Sequence, residues 1–207
     1  MNGRTEPPGK RIGIFGGTFD PPHIAHRVLA MEACDQLGLD TLLWVLTAVP
    51  PHKQDHNLTP VEARLELVMA AIGDDPHFVL SRVEIDRPGP HYAADTLRLL
   101  AGQFPQAELC YLIGGDSLRD LPHWHRPHEL LAYCNCLGVM RRPHDRMDMD
   151  QMEADLPGIR DKIRTIHTPM MEVSSTDIRE RIRNGRLYRY YLPDGVYRVI
   201  EARGYYR

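Results

Sequence analysis

The sequence predicts an α/β fold: a parallel sheet with helices on both faces and a small helical part at the C-terminus. Three observations predict it. Short β-rich apolar runs alternate with helical segments of ten to fifteen residues, the order that builds a parallel sheet. Two of the runs, "TLLWVLT" from Thr41 and "ELCYLIGG" from Glu108, are nearly continuous in apolar residues, as in strands covered on both sides. Finally, the unusual polar clusters fall directly after such runs, and parallel sheets bind ligands beyond the carboxyl ends of their strands.

In order, "RIGIF" at Arg11 is the first strand, and Ile24 to Leu37 has helical periodicity that stops at Gly38. "TLLWVLT" is the second strand. "TPVE" then reads as a capping box, with Thr59 as N-cap, Pro60 in the first turn and Glu62 reaching back, opening a helix that ends near Gly73. "HFVLSRVEI" from His77 alternates like a strand, Ala93 to Gln103 reads as helix, and "ELCYLIGG" is a buried strand. "NCLGVMRR" from Asn135 is a further strand, with Cys134 and Cys136 read as strand residues facing one side. Pro143 to Asp161 is polar, methionine-rich and ambiguous between a weak helix and an excursion. "IRTIHT" is a last short strand, "SSTDIRERIRNG" a helix stopped by Gly185, and a final helix begins at Pro193 and ends near Gly204.

The chain has 207 residues, enough for one sizeable core, so residues 11–207 are expected to form a single domain behind a loose tail at 1–10. A formal charge of -3 supplies no field to attract nucleic acid or an anionic membrane, so neither is expected as a partner. The apolar runs are too short to span a bilayer, and "MNGRTEPPGK" lacks the apolar centre of a signal peptide. Four cysteines without zinc or C-x-x-C spacing suggest reduced thiols and a cytoplasmic protein. Self-association into a homo-oligomer is left open.

The first polar cluster is "IFGGTFDPPHIAH". Gly16 and Gly17 allow a sharp turn and close approach to a ligand, and free amides at a helix start can face an anion. His23 and His26, three apart, share one face of the first turn. Their N–H groups could donate to phosphate oxygens, most usefully where charge grows as a P–O bond breaks. The stretch is neither a Walker loop nor a G-x-G-x-x-G fingerprint, and no third residue at a recognisable spacing completes a metal site. The second cluster, "VSSTDIRERI", opens a helix. Ser174 with Asp177 fits a capping box, Ile178 and Ile182 face the core, and Arg179 lies one turn beyond Ser175, where its guanidinium can reach an anion on the free amides.

These residues carry a resemblance. "GGTFDPPHIAH" resembles the signature of nucleotidyltransferases that carry H-x-G-H or T-x-G-H on a small Rossmann-like fold, and the first-His form is similar to the nicotinate-nucleotide adenylyltransferases. "SSTDIR" resembles that family's I-S-S-T-x-I-R motif, which binds the β- and γ-phosphates of ATP. Three positions depart from the family pattern: Ala25 replaces the motif glycine, Val173 the isoleucine and Ala93 a threonine. The resemblance covers nearly the whole chain from Lys10, most weakly over His144 to Arg164.

It implies transfer of AMP from ATP to nicotinate mononucleotide, giving deamido-NAD and pyrophosphate, with Mg2+ accompanying ATP. His23, His26 and Arg179 are implied as catalytic. ATP is implied to lie on Gly16, Gly17, Thr18, Phe19, Gly114, Asp116, Ser174, Ser175 and Thr176 as well as those three. The mononucleotide is implied to meet Asp20, Lys53 of "VPPHK", Tyr92 and Ala93 of "GPHYAADTL", Trp124 as a flat platform for the pyridine, and Arg142. Taken by themselves, Asp116 reads equally as a helix N-cap and Trp124 as a packing residue. His123, His125 and His128 suit no single helical face and read as solvated loop residues. The alternatives are a sibling transferase acting on nicotinamide mononucleotide, phosphopantetheine or a polyol phosphate, a non-catalytic nucleotide-binding regulator, and a metal hydrolase. His23 and the chain length speak against phosphopantetheine.

Overall fold

The computed structural model describes residues 10–50, 58–140 and 148–207. Among them β1 (Arg11–Gly17), β2 (Thr41–Leu46), β3 (Phe78–Ser81), β4 (Glu108–Gly114), β5 (Cys136–Met140) and β6 (Ile163–Ile166) form one sheet. The strand order is β3-β2-β1-β4-β5-β6, and every neighbouring pair is parallel. Helices α1 (Ile24–Leu37), α2 (Val61–Ile72), α3 (Ala93–Gln103), α4 (Gly115–Asp120) and α5 (Pro127–Tyr133) precede β5. After it come α6 (Met149–Asp155), α7 (Ile159–Lys162), α8 (Ser175–Arg183) and α9 (Asp194–Arg203).

Alternation along the strands divides the core into two layers. Leu42, Trp44 and Leu46 of β2 pack with Ala30 and Ala33 of α1, Leu67 of α2, Ile178 of α8 and Ile200 of α9. Leu43 and Val45 point the other way, to Leu97 and Leu100 of α3, Leu130 of α5 and Ile159 of α7. The continuous apolar run of β2 is therefore explained: both of its faces are covered. Helix ends follow local chemistry. Gly38 takes a left-handed conformation (φ 60, ψ 48) and closes α1, while the Ser174 side chain accepts from the Asp177 amide and caps α8.

Three readings need correction. The capping box at Thr59 does not form: α2 starts at Val61 behind Pro60 with no side-chain cap, because the Thr59 amide is drawn to Asp20 Oδ2 (3.3 Å) and its carbonyl to Arg64. β3 ends at Ser81; the rest of "HFVLSRVEI" is a turn, with the Ile85 and Asp86 amides both donating to the Arg82 carbonyl. Its alternation arises because Glu84 turns inward to Thr96 (2.6 Å) while Arg82 pairs outward with Asp86. Cys134 and Cys136 do not share a side. Cys134 follows α5, before the strand, and is buried in the α3 layer, whereas Cys136 opens β5 and packs on the α1 layer. Of the two alternatives for 143–161, the helical one holds among its described residues, with α6 inside it and α7 running one residue beyond, while α4 and α5 were not foreseen.

Candidate active site

β1 and β4 lie side by side at the centre of the sheet, and the connections that leave them run to opposite edges. Such a reversal opens a crevice at the strands' carboxyl ends. The two polar clusters meet there. Ser175 Oγ donates to the Pro21 carbonyl (2.8 Å), and Arg179 Nη1 donates to the Asp20 carbonyl (2.6 Å), across more than 150 positions of sequence. Arg179 is also 3.3 Å from Thr176 Oγ1. The start of α8, whose Ser175 and Thr176 amides have no intrahelical acceptor, is thereby set against the loop between β1 and α1.

The histidines are stacked, with ring centroids 3.7 Å apart and planes inclined by 29°. His23 is the N-cap of α1, and its amide donates to His26 Nδ1 (3.0 Å). That bond assigns the His26 tautomer: Nδ1 accepts, so Nε2 carries the proton and is a donor. His23 Nδ1 is buried with no hydrogen-bond partner among the described residues. Burial lowers the His23 pKa to about 4, and burial together with the neighbouring His23 ring holds His26 well below the usual imidazole range. At neutral pH both rings are thus uncharged, held donors and acceptors rather than cations.

The loop beneath them is held from several directions. Phe19 takes a positive φ (48°) and is buried, its ring edge-on to Phe15 (5.3 Å) and His26 (5.2 Å). A Cβ on Gly17 would sit 2.8 Å from that ring, so the fold itself requires glycine there. A Cβ on Gly16 would meet only the Tyr111 hydroxyl, at 3.5 Å, an ordinary contact. Packing does not explain Gly16; a ligand lying against the backbone would.

Two supports were not anticipated. Arg64, 1% exposed, donates to the carbonyls of Thr18 (3.0 Å), Thr47 (2.8 Å), Ala48 (2.9 Å) and Thr59 (2.8 Å), tying together the loops that follow β1 and β2. A signal existed, since Arg64 interrupts the apolar stripe of Ala63, Leu67, Val68 and Ala71 on α2. Tyr206, near the C-terminus, donates to Asp20 Oδ1 (2.8 Å), and the Thr59 amide takes Oδ2. The Asp20 carboxylate is therefore buried and engaged within the protein, bracing the loop.

The other expected residues among those described follow the strands or cap the helices that come after them. Gly114 is the N-cap of α4, and Asp116 lies in its first turn with its side chain 67% exposed and 3.4 Å from Arg119, so it is not the N-cap. Tyr111 stands edge-on to Trp124 (6.4 Å), linking Gly16 to the indole. Tyr92 is the N-cap of α3 and stacks on His125 (4.1 Å), leaving Ala93 as the first helical residue, where its amide has no intrahelical acceptor. Thr96 points inward to Glu84, whose carboxyl burial pushes up in pKa. His91 was not foreseen: it accepts from the Val49 amide at Nδ1 (3.1 Å) and lies 3.2 Å from the Arg87 carbonyl at Nε2, fixing the approach to Tyr92. Lys53 and Arg142 lie outside the described residues.

Residues 14–181 match the cytidylyltransferase-like family model. A probable nicotinate-nucleotide adenylyltransferase of Thermomicrobium roseum is 40% identical over 197 residues, covering 95% of this chain and 92% of that protein. One from Thermus thermophilus is 42% identical over 197 residues, with 95% and 100% covered. The chain belongs to the nicotinate-nucleotide adenylyltransferase family. Among solved structures, the Plasmodium falciparum nicotinic acid mononucleotide adenylyltransferase complexed with NaAD matches with a TM-score of 0.75 at 18% identity, covering 95% of this chain and 97% of that one. That likeness establishes the shared α/β fold. Both histidines and the Ser175 turn stand together at the carboxyl end of β1, with Phe19 packed on His26 and the Asp20 side chain bonded to Tyr206 and Thr59.

Proposed function

We propose that the protein transfers the AMP moiety of ATP to nicotinate mononucleotide, releasing pyrophosphate and giving nicotinic acid adenine dinucleotide, a step of NAD biosynthesis. The observation that carries this reading is the junction of Ser175 and Arg179 with the Asp20–Pro21 backbone, which sets the free amides of α8 beside the stacked histidines. One triphosphate can then be held from both sides. The relatives named for this reaction support the choice of substrates.

The nucleophile is the phosphate of the mononucleotide, already an anion at neutral pH, so the reaction needs alignment and charge stabilisation rather than a general base. His26 Nε2–H, oriented by the His23 amide, donates to an α-phosphate oxygen as charge builds there; His23 lies stacked beside it as a second contact. The amides of Gly16, Gly17 and Thr18 line the path along β1. Ser174 holds the α8 turn in shape while Ser175, Thr176 and Arg179 take the outer phosphates, Arg179 turning from the Asp20 carbonyl to the ligand. Gly114 and Asp116 receive the ribose hydroxyls. Tyr92 and the Ala93 amide hold the nicotinate carboxylate, and Trp124 offers its face to the pyridine. Lys53 and Arg142 complete the phosphate contacts of the acceptor. Magnesium enters with ATP as part of the substrate. We place the enzyme in the cytoplasm.

The test measures pyrophosphate release from ATP and magnesium with nicotinate mononucleotide, nicotinamide mononucleotide and phosphopantetheine in parallel. The expected result is highest kcat/KM for the nicotinate form. Preference for another acceptor overturns the assigned substrate, and no release with any of them overturns the reaction.

A further inference from the structure

The four thiols differ sharply in their surroundings. Cys110 of β4 and Cys136 of β5 are direct partners in the parallel register. Partners side by side in parallel strands project to the same face, and both belong to the α1 layer: Cys110 is buried within it, while Cys136 packs against it only half-buried. Neighbouring strands are about 4.8 Å apart, within the roughly 4.4–6.8 Å separation of Cα atoms that a disulfide spans. The neighbouring Cys110 thiol holds Cys136 below the usual thiol range against the opposing effect of burial. The guanidinium groups of Arg164 and Arg11 act in the same direction, and Glu108 against them. Cys110 is correspondingly pushed up.

The other two thiols are unsuited to pairing. Cys134 faces the opposite core layer, its Sγ donating to the Cys136 carbonyl (2.7 Å), and burial raises its pKa to about 12. Cys34 on α1 is raised to about 11 by burial and by Asp75.

We propose that Cys110 and Cys136 form a redox-reactive dithiol that closes to a disulfide when a hydroperoxide serves as the two-electron oxidant. The Cys136 thiolate attacks one peroxide oxygen, the O–O bond breaks and hydroxide leaves, giving a sulfenic acid at Cys136. The Cys110 thiol then attacks that sulfur; the S–S bond forms, the S–O bond breaks and water departs. In total, two thiols and one hydrogen peroxide yield one disulfide and two waters. The arrangement pairs a half-buried cysteine with a fully buried resolving thiol, which intercepts the sulfenic acid before it proceeds to the irreversible sulfinic form. The pair lies at the amino-terminal ends of β4 and β5, at the far end of the sheet from the nucleotide crevice, so it is independent of the proposed activity.

The experiment exposes the full-length folded protein to hydrogen peroxide, quenches, denatures, alkylates free thiols and maps the peptides without reduction. The expected product is a Cys110–Cys136 linked peptide and an intact mass lower by about 2 Da, restored by dithiothreitol, with Cys34 and Cys134 alkylated. In Cys110→Ser, Cys136 accumulates as a dimedone-trapped sulfenic acid or a sulfinic acid. The proposal is overturned by Cys136 sulfinic acid in the unaltered protein beside an alkylated Cys110. It is equally overturned by a disulfide using Cys34 or Cys134, or by four alkylated thiols under peroxide that oxidises free glutathione. The mapping of the unaltered protein decides the matter even if the variant does not fold.

Discussion

Replacing His23 by Asn isolates the cost of keeping an imidazole neutral in this crevice. Asn is a favourable N-cap, so the start of α1 is retained while the titrating ring is removed. In the native protein the His23 pKa is about 4 because burial disfavours the cation, whereas the unfolded chain titrates near 6.5. As pH falls below that upper value, the unfolded state takes up a proton that the native state refuses, so stability declines with acidification until the native group itself titrates. The full window, about 2.5 units, corresponds to roughly 3 kcal/mol, of which about 2 kcal/mol is already lost near pH 5. His23 is 7% exposed, so solvent screening removes little of this. Urea titrations near pH 7 and pH 5, followed by circular dichroism, measure it. With a slope of ~2–3 kcal/mol per molar urea, the unaltered protein should lose about 0.7–1 M more of its midpoint on acidification than His23→Asn does. Equal losses would refute the account of His23 as a buried neutral base.

Other outcomes follow from particular contacts. His26→Ala should keep its circular dichroism spectrum yet lose turnover about a hundredfold in pyrophosphate release, because one charge-stabilising donor contributes on the order of 3 kcal/mol; near-normal turnover in the folded variant would remove it from the chemistry. The two glycines should separate fold from ligand. Gly17→Ala drives a methyl into the Phe19 ring (2.8 Å) and should cost about 1–3 kcal/mol in thermal unfolding, while Gly16→Ala should unfold near the parent temperature but raise KM for ATP. Arg64→Lys should destabilise by roughly 3 kcal/mol in chemical denaturation, because one ammonium cannot reach the carbonyls of Thr18, Thr47, Ala48 and Thr59 together.

What the sequence by itself determined was local: the six strands in outline and the longer helices, the stop of α1 at Gly38, the Ser174 cap and the pairing of two histidines on one helical turn. Period, capping and glycine conformation act over a few residues, so a linear reading captures them. It misjudged Thr59 and the end of β3 for the same reason. The Thr59 amide has a distant competitor in Asp20, and the apparent strand after Ser81 alternates because Glu84 and Arg82 seek partners on opposite sides. Tertiary structure alone decided that the Ser175 turn meets Pro21, that the Phe19 ring packs edge-on to His26, that Asp20 accepts from Tyr206 and Thr59, and that Arg64 binds four carbonyls. It also decided the charge of the histidines. Desolvation and long-range hydrogen bonds depend on everything that closes around a group, and in this chain the closing residues come from both ends of the sequence.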